Sequence, residues 1–329
     1  MKKKKNIYEQ IASPENLVRA ADKAVSGKRD GLIRHFVSNR ETLLHKLHNT
    51  LASCSYTPSS YRELYIYEPK ERLIKIAAFY PDRIVHHSVM NVVEPILAQT
   101  FIHHTYACIK GRGGHKCIND LYSDMRQNYA NIQYCLKFDI RKFYDSIDHE
   151  VLKKLIRRKI ADQKALNLID QIIDSTAPGI PIGNYTSQQF SNYYLAYFDH
   201  YCKEDLKLKY YYRYMDDIVV LGSNKADLHD VLNNIKTYLK ERLKLDIKAN
   251  WQIFPVDKRN IDFCGYRVNH HGIMLRRRIL YNYFKKLRKH KGQLSSEDDL
   301  KHALPSHYGW LKHISDQHRQ LIIHNSINS

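Results

Sequence analysis

The sequence contains no apolar run approaching the roughly 18–20 residues needed to span a bilayer. Its opening residues, Met1 to Lys5, lack the apolar core of a signal peptide. Together these absences exclude a membrane-spanning or secreted reading and predict a cytoplasmic protein. Cysteine supplies no framework either. Cys54, Cys108, Cys117, Cys135, Cys202 and Cys264 are scattered and form no CxxC pair, a pattern that fits free thiols in a reducing compartment. No internal repeat or low-complexity linker interrupts the chain. Acidic residues are scarce: 34 Asp and Glu stand against 53 Lys and Arg, a net charge of +19. Such an imbalance points to a polyanionic partner. With 329 residues, 43% hydrophobic and 26% charged, the chain is long enough for several subdomains and too apolar to be disordered.

Against that background, Tyr214-Met215-Asp216-Asp217 stands between the apolar-aromatic run 210–212 and the run 218–221. Two adjacent carboxylates therefore occupy the tight turn of a predicted β-hairpin. Neighbouring strand residues point to opposite faces, so such a pair is out of place inside a sheet, whereas at a turn both reach a hard cation that wants oxygen ligands. Taken alone, the motif also fits two turn aspartates satisfied by water and backbone. A second segment shifts the weight: in 136–147 an apolar strand ends in Asp139. Three carboxylates from two strands can hold two Mg²⁺ ions, with Mn²⁺ as the alternative metal. The chemistry that needs this arrangement is nucleotidyl transfer. Asp139 and Asp216 are the expected principal ligands, with Asp217 beside them and the carbonyl of Ile140 as a backbone ligand. Asp148 precedes a helical stretch and reads as its N-cap, and Asp145 reads as a structural or supporting residue.

The order of motifs resembles that of a reverse transcriptase. Glu68-Pro69-Lys70-Glu71-Arg72-Leu73-Ile74 resembles the basic fingers motif, and Thr105-Tyr106-Ala107-Cys108 through Gly111-Arg112-Gly113-Gly114-His115 resembles the next block of the bacterial enzymes. The Asp139 block, Gly179-Ile180-Pro181-Ile182-Gly183-Asn184-Tyr185-Thr186-Ser187-Gln188, the YMDD tetrad and Phe263-Cys264-Gly265-Tyr266 follow. Tyr308-Gly309-Trp310-Leu311-Lys312-His313 resembles the thumb signature of bacterial retroelement polymerases. Most relatives carry Gln-Gly-x-x-x-Ser-Pro where this chain has Ile182 to Gln188, and that replacement resembles diversity-generating retroelement enzymes. The resemblance implies an α+β right-hand polymerase with fingers, a ferredoxin-like palm carrying the YMDD hairpin, and a small helical thumb. It also implies copying of a template RNA into adenine-mutagenised cDNA, with deoxynucleotides and an RNA–DNA duplex as ligands. A small, basic, pentameric accessory protein is the implied protein partner. Two other classes stay open: another bacterial reverse transcriptase, of antiviral-defence or retron-like type, and a catalytically silent RNA-binding scaffold.

The expected organisation is an N-terminal helical extension at 1–64, fingers at 65–130 interleaved with the palm, palm at 131–266 and thumb at 267–329. Ser13-Pro14 reads as an N-cap followed by proline at the first helical position. Lys2 to Lys5 read as a frayed, solvated segment. Helices are predicted around 149–174 and near 186–204, and a strand near 245–253. In the second helix Phe190, Tyr193, Tyr194, Tyr197, Phe198 and Tyr201 form an apolar stripe at the helical repeat. Lys70 and Arg72 are expected at the incoming triphosphate, where arginine holds phosphate oxygens bidentately. Tyr144 lies five residues after Asp139, where the family places an aromatic gate against the ribose 2′-hydroxyl. Ile182 and Gly183 are expected at the nucleotide, Ile182 and Gln188 in fidelity, and Lys248 near the leaving pyrophosphate. Template and primer contacts are assigned to Arg112, Tyr214, Met215, Cys264, Gly265, Tyr266, Arg276, Arg277 and Arg278. The last three open a basic stretch whose Leu280, Tyr283, Phe284 and Leu287 keep helical spacing, so one face packs and the other meets phosphate.

Overall fold

The computed structural model describes residues 2–28, 30–67, 71–290 and 296–327. Lys70, with its expected triphosphate contact, lies outside the described residues. The chain forms two compact units, each drawn from three stretches. The first comprises Met1–Ile102, Arg141–Tyr201 and Thr237–Asp246, the second His103–Ile140, Cys202–Lys236 and Ile247–Ser329. No helix among the described residues is long and apolar enough to cross a membrane.

The first unit is mostly helical. Ser13 caps the helix Pro14–Val25, its hydroxyl accepting from the Asn16 amide at 3.3 Å. Leu17, Ala20, Ala21 and Ala24 of this helix are fully buried, as are Val85, Val89 and Val93 of Ile84–Ala98. Small residues on one side and β-branched residues on the other let the two helices approach closely. Buried between them, Asn16 is satisfied by donating to Ser88 and Ile11 and accepting from Asn91. Far from fraying, Lys4 is fixed in a parallel bridge to Ile160: its amide donates to the Lys159 carbonyl and its carbonyl accepts from Ala161, both at 2.8 Å. Sequence reasoning missed this because backbone pairing leaves no trace in a run of lysines. Two strands, β1 (Arg62–Ile66) and β2 (Arg72–Ile76), form an antiparallel hairpin. Helices His149–Ile156 and Gln163–Asp174 are capped by Asp148 and Asp162, whose carboxylates accept from the amides of Val151 and Ala165. The helix expected near 186–204 is broken: Tyr185–Tyr194 ends at Leu195 and Ala196–His200 restarts. Of its aromatic stripe, Phe190, Tyr193, Tyr194 and Phe198 are buried as core.

The second unit holds two sheets. Four strands, β3 (Tyr134–Asp139), β4 (Tyr210–Tyr214), β5 (Asp217–Gly222) and β6 (Gln252–Pro255), lie antiparallel in the order β4-β5-β3-β6. With helical segments between β3 and β4 and a helix, Lys225–Leu243, between β5 and β6, that is the strand order of a ferredoxin-like βαββαβ motif. The last strand is shorter than expected, since Ile247 makes only an isolated bridge to Ile140 before a turn at 249–250. A second sheet follows, β7 (Ile261–Phe263), β8 (Tyr266–Asn269) and β9 (Gly272–Leu275), then helices Arg277–Leu287, Glu297–Ala303, Pro305–Leu311 and Asp316–Ile327. One core joins these parts. Cys117, Ile118, Leu121 and Met125 of helix Gly114–Gln127 pack with Cys135, Tyr210, Tyr212 and Leu221 of the first sheet, Phe263 and Tyr266 of the second, and Tyr283, Tyr308 and Leu311 of the helices.

Candidate active site

Register decides where the carboxylates fall. Across β3 and β5, Cys135 faces Leu221, Lys137 faces Val219 and Asp139 faces Asp217, while on β4 Tyr210, Tyr212 and Tyr214 face Leu221, Val219 and Asp217. Directly opposed residues project to the same side of a sheet. One face thus begins in the apolar core and ends, at the β3 C-terminus, in Asp139, Asp217 and Tyr214. Only Met215 and Asp216 remain in the loop, and Met215 takes a positive φ of 57°. Two interactions fix that loop. The Asp216 carbonyl accepts from the Ile140 amide at 3.2 Å, and the fully buried Arg213 donates Nη1 to the Met215 carbonyl at 3.1 Å.

Each facing aspartate carries a lysine. Lys248 Nζ is 3.2 Å from Asp139 Oδ2, and its amide donates to the Asp139 carbonyl at 2.9 Å. Lys137 Nζ is 3.1 Å from Asp217 Oδ2. Asp217 Oδ1 is buried with no hydrogen-bond partner among the described residues. Burial, reinforced by the charges of Asp139 and Asp216 and opposed by Lys137, pushes the Asp217 carboxyl up to about 6. A buried carboxylate oxygen without a donor is costly unless a cation meets it. Asp139 and Asp217, opposed on one sheet face with Asp216 in the adjoining turn, are hard oxygen donors of the kind that a divalent cation such as Mg²⁺ takes. Among the described residues no group of three His, Cys, Asp or Glu side chains is drawn together to hold a metal.

Motifs far apart in sequence meet beside this edge. The turn between β7 and β8 is Cys264-Gly265, with φ of 48° and 87°, the signs a two-residue I′ hairpin requires. Glycine is needed here for space as well, because a Cβ at Gly265 would lie 2.7 Å from the Trp310 ring. A Cβ at Gly114 would touch Cys264 at 3.4 Å and the Tyr214 ring at 3.9 Å, so the glycine block, the Cys264 turn and the YMDD strand adjoin. Tyr266 Oη is 2.7 Å from His115 Nδ1, and His115 stacks on His313 with centroids 4.1 Å apart. The Trp310 ring packs on both Tyr266 and His115. Cys117 faces Cys264, and burial with that neighbour pushes its thiol up.

The remaining expected residues are placed as follows. Arg112 is half-buried and donates to the carbonyls of His103 and Thr105. Arg276 is held by Asp262, Nε donating to Oδ1 at 2.7 Å, and its amide donates to the Gly265 carbonyl at 3.0 Å. It therefore braces the turn, while Arg277 and Arg278 are exposed at the start of their helix. In the first unit, the half-buried Tyr144 lies in a single helical turn, Phe143–Ser146, and its carbonyl accepts from Ile180 at 3.0 Å. A Cβ at Gly179, φ 68°, would sit 2.2 Å from that carbonyl oxygen. The half-buried Ile182 accepts through its carbonyl from the Lys75 amide at 3.1 Å, and a Cβ at Gly183 would meet the Lys75 carbonyl at 2.7 Å. So the 179–188 loop rests on Tyr144 at one end and β2 at the other. Arg72 and Gln188 are exposed. Sequence reasoning missed Lys137, though its place two residues before Asp139 puts both on one strand face.

Solved structures that share the fold include telomerase from Candida albicans in complex with a TWJ fragment of telomeric RNA, at TM-score 0.52 and 12% identity over 84% of this chain and 62% of that one. A truncated apo telomerase from Candida tropicalis gives TM-score 0.52 and 15% identity, covering 66% and 55% of the two chains. The fold is that of a right-hand polymerase. Among curated proteins, Protein YkfC of Escherichia coli is 24% identical, with 78% of this chain and 81% of that protein covered. The Group II intron-encoded protein LtrA of Lactococcus lactis is 23% identical over 67% of this chain but only 37% of its own length. The putative COX1/OXI3 intron 2 protein of Saccharomyces cerevisiae is 24% identical, with 64% and 31% covered. Residues 69–268, more than half of the chain, match the family described as Reverse transcriptase (RNA-dependent DNA polymerase), and the chain belongs to that family.

Proposed function

We propose that this protein copies an RNA template into DNA as the polymerase of a diversity-generating retroelement. The pairing of Asp139 with Asp217 at the end of the β3–β5 ladder, with Asp216 in the adjoining turn, carries the catalytic part of this reading. Bound Mg²⁺, or Mn²⁺ in its place, supplies charge neutralisation for an in-line displacement at phosphorus. Asp139, Asp216, Asp217 and the Ile140 carbonyl would hold it. Lys248, which pairs with Asp139, meets the negative charge of the departing pyrophosphate in this reading. Arg72 binds the triphosphate, and the Ile182-Gly183 loop, held close to β2 by the glycine, adjoins the nucleotide. The exposed Arg277 and Arg278 meet duplex phosphates, while Tyr214, Met215 and the Cys264-Gly265-Tyr266 turn, braced by Arg276, adjoin the primer end. Primer extension by the purified chain on a defined RNA, with each deoxynucleotide omitted in turn, tests the polymerase reading. Addition that ignores the template sequence would move the protein to an untemplated defence-type enzyme.

Tyr144 is the proposed gate against ribonucleotides. Its main chain is fixed to the 179–188 loop by the Ile180 amide, and the half-buried ring meets the ribose 2′-hydroxyl by steric exclusion. Tyr144→Ala should raise ribonucleotide relative to deoxynucleotide incorporation by about tenfold or more, because discrimination is a difference in transition-state binding. An unchanged ratio in a folded, active variant would return Tyr144 to a packing role.

Ile182 carries the retroelement part of the reading. Glutamine there offers a donor and an acceptor that fix the nucleotide and its neighbours, whereas isoleucine only packs. Looser pairing geometry at template adenine follows. Ile182→Gln should lower misincorporation opposite adenine more than opposite the other bases, and changes at the exposed Gln188 should do less. Sequencing cDNA made by both enzymes from one RNA checks this; equal adenine error rates would place the selectivity elsewhere. The same reading brings a small, basic, pentameric accessory protein as partner.

A further inference from the structure

The ammonium of Lys137 is enclosed by three acceptors of different kinds. It pairs with Asp217 Oδ2 at 3.1 Å, donates to the main-chain carbonyl of Asp262, and lies 5.4 Å from the centre of the Phe263 ring. Asp262 is in turn gripped by Arg276, whose amide is bonded to Gly265 in the β7–β8 turn. A lysine at the surface of a sheet has no need of such a cage, since an exposed ion pair contributes little. Here the ammonium stands against a partly buried carboxylate whose other oxygen has no donor. We infer that Lys137 is a built-in counter-ion and positioning residue: it holds Asp217 in the unloaded enzyme, ties that carboxylate to the Cys264-Gly265 hairpin, and must yield Asp217 to the incoming divalent cation.

This inference rests on the polymerase reading for the identity of the cation. Two like charges cannot both sit close to one carboxylate without a large mutual repulsion in a partly desolvated site. Lysine and divalent ion therefore compete. Loss of the ammonium strengthens cation binding, and restoring a positive charge weakens it again. The lysine remains beside the Asp262 carbonyl when it gives up Asp217, so loading of the site is felt at the hairpin that carries Gly265.

Mn²⁺ binding to the full chain, followed by electron paramagnetic resonance without nucleotide or primer, tests this in alkaline buffer, where protons do not compete for the carboxylate. Lys137→Met should bind Mn²⁺ about tenfold more tightly, a shift of the size expected when one close charge is removed from a partly desolvated site. Lys137→Arg should return the affinity to near wild type. A folded Lys137→Met protein with wild-type Mn²⁺ affinity overturns the inference, as does an arginine variant that behaves like the methionine one. Should the methionine variant fail to fold, the wild-type protein carrying ¹³C-labelled lysine decides. Its Lys137 ε-carbon resonance should move on Mg²⁺ addition, whereas that of Lys301, paired with Asp298 on an exposed helix, should not. A Lys137 resonance that stays put at saturating Mg²⁺ refutes the exchange. If wild type extends primers normally and either result is negative, only the inference falls; if wild type neither binds Mn²⁺ nor extends primers, the polymerase reading falls with it.

Discussion

Asp139→Asn and Asp216→Asn should each lower nucleotide addition by on the order of 10³-fold or more, with the fold intact. An amide keeps the shape of the carboxylate and loses the charge that holds Mg²⁺. The stability cost is expected to be small. Asp139 and Lys248 are each about one-third exposed, and breaking such a pair costs less than about 1 kcal/mol. Asp216 lies in the turn, and its main-chain carbonyl, which accepts from the Ile140 amide, is untouched by the substitution. Activity and stability should therefore separate cleanly. Primer extension measured beside urea denaturation checks both. Extension at near wild-type rate by either purified variant would remove the carboxylate assignment, and a collapse in stability would mean that the lost activity reports unfolding instead.

The parts of this site that sequence reveals are those set by local geometry. A two-residue loop between two apolar strands places Asp216 at a tip, and the end of the 134–139 strand places Asp139 at an edge. Ser13 and Asp148 are recognisable as caps because the hydrogen bond they make spans only three residues. The ferredoxin-like palm was legible through the resemblance that the ordered motifs carry. Contacts set by tertiary register were not legible. Nothing local says that Lys248 will stand on Asp139, that Lys137 will reach Asp217 and Asp262, or that Arg276 will brace the Gly265 turn instead of facing solvent with Arg277 and Arg278. Arg213 makes the point most sharply. It reads as one more basic residue of a cationic protein, yet it is fully buried beside the Met215-Asp216 loop with its guanidinium on the Met215 carbonyl. Charge counts place a protein near polyanions, but only the fold tells which cations are spent on the protein itself.

Gly179→Ala should produce the largest loss of stability among single-methyl changes in the first unit. Its φ of 68° favours glycine, and the added Cβ would lie 2.2 Å from the Tyr144 carbonyl oxygen and 2.6 Å from two backbone atoms of Asp145. These obstacles are main chain, which cannot swing aside as a flexible side chain does. Relief requires the 179–188 loop to lift from Tyr144, which breaks the Ile180 N–H to Tyr144 carbonyl bond of 3.0 Å. Left-handed strain of about 1–2 kcal/mol adds to overpacking of about 1–3 kcal/mol, for an expected loss of roughly 3 kcal/mol. Urea denaturation should show a lower midpoint with little change in slope. Gly31→Ala serves as the control, because nothing lies within 4 Å of its Cβ position and the residue is already helical. That change should leave the midpoint near wild type or raise it slightly, as alanine favours the helix by up to about 1 kcal/mol. The functional consequence separates the Tyr144 gate from mere packing. If Tyr144 is held in place by the loop, a Gly179→Ala protein that is still folded should lose part of its discrimination against ribonucleotides. Equal midpoints for Gly179→Ala and Gly31→Ala would show that the loop can move away at no cost, and the loop would then have no hold on the tyrosine.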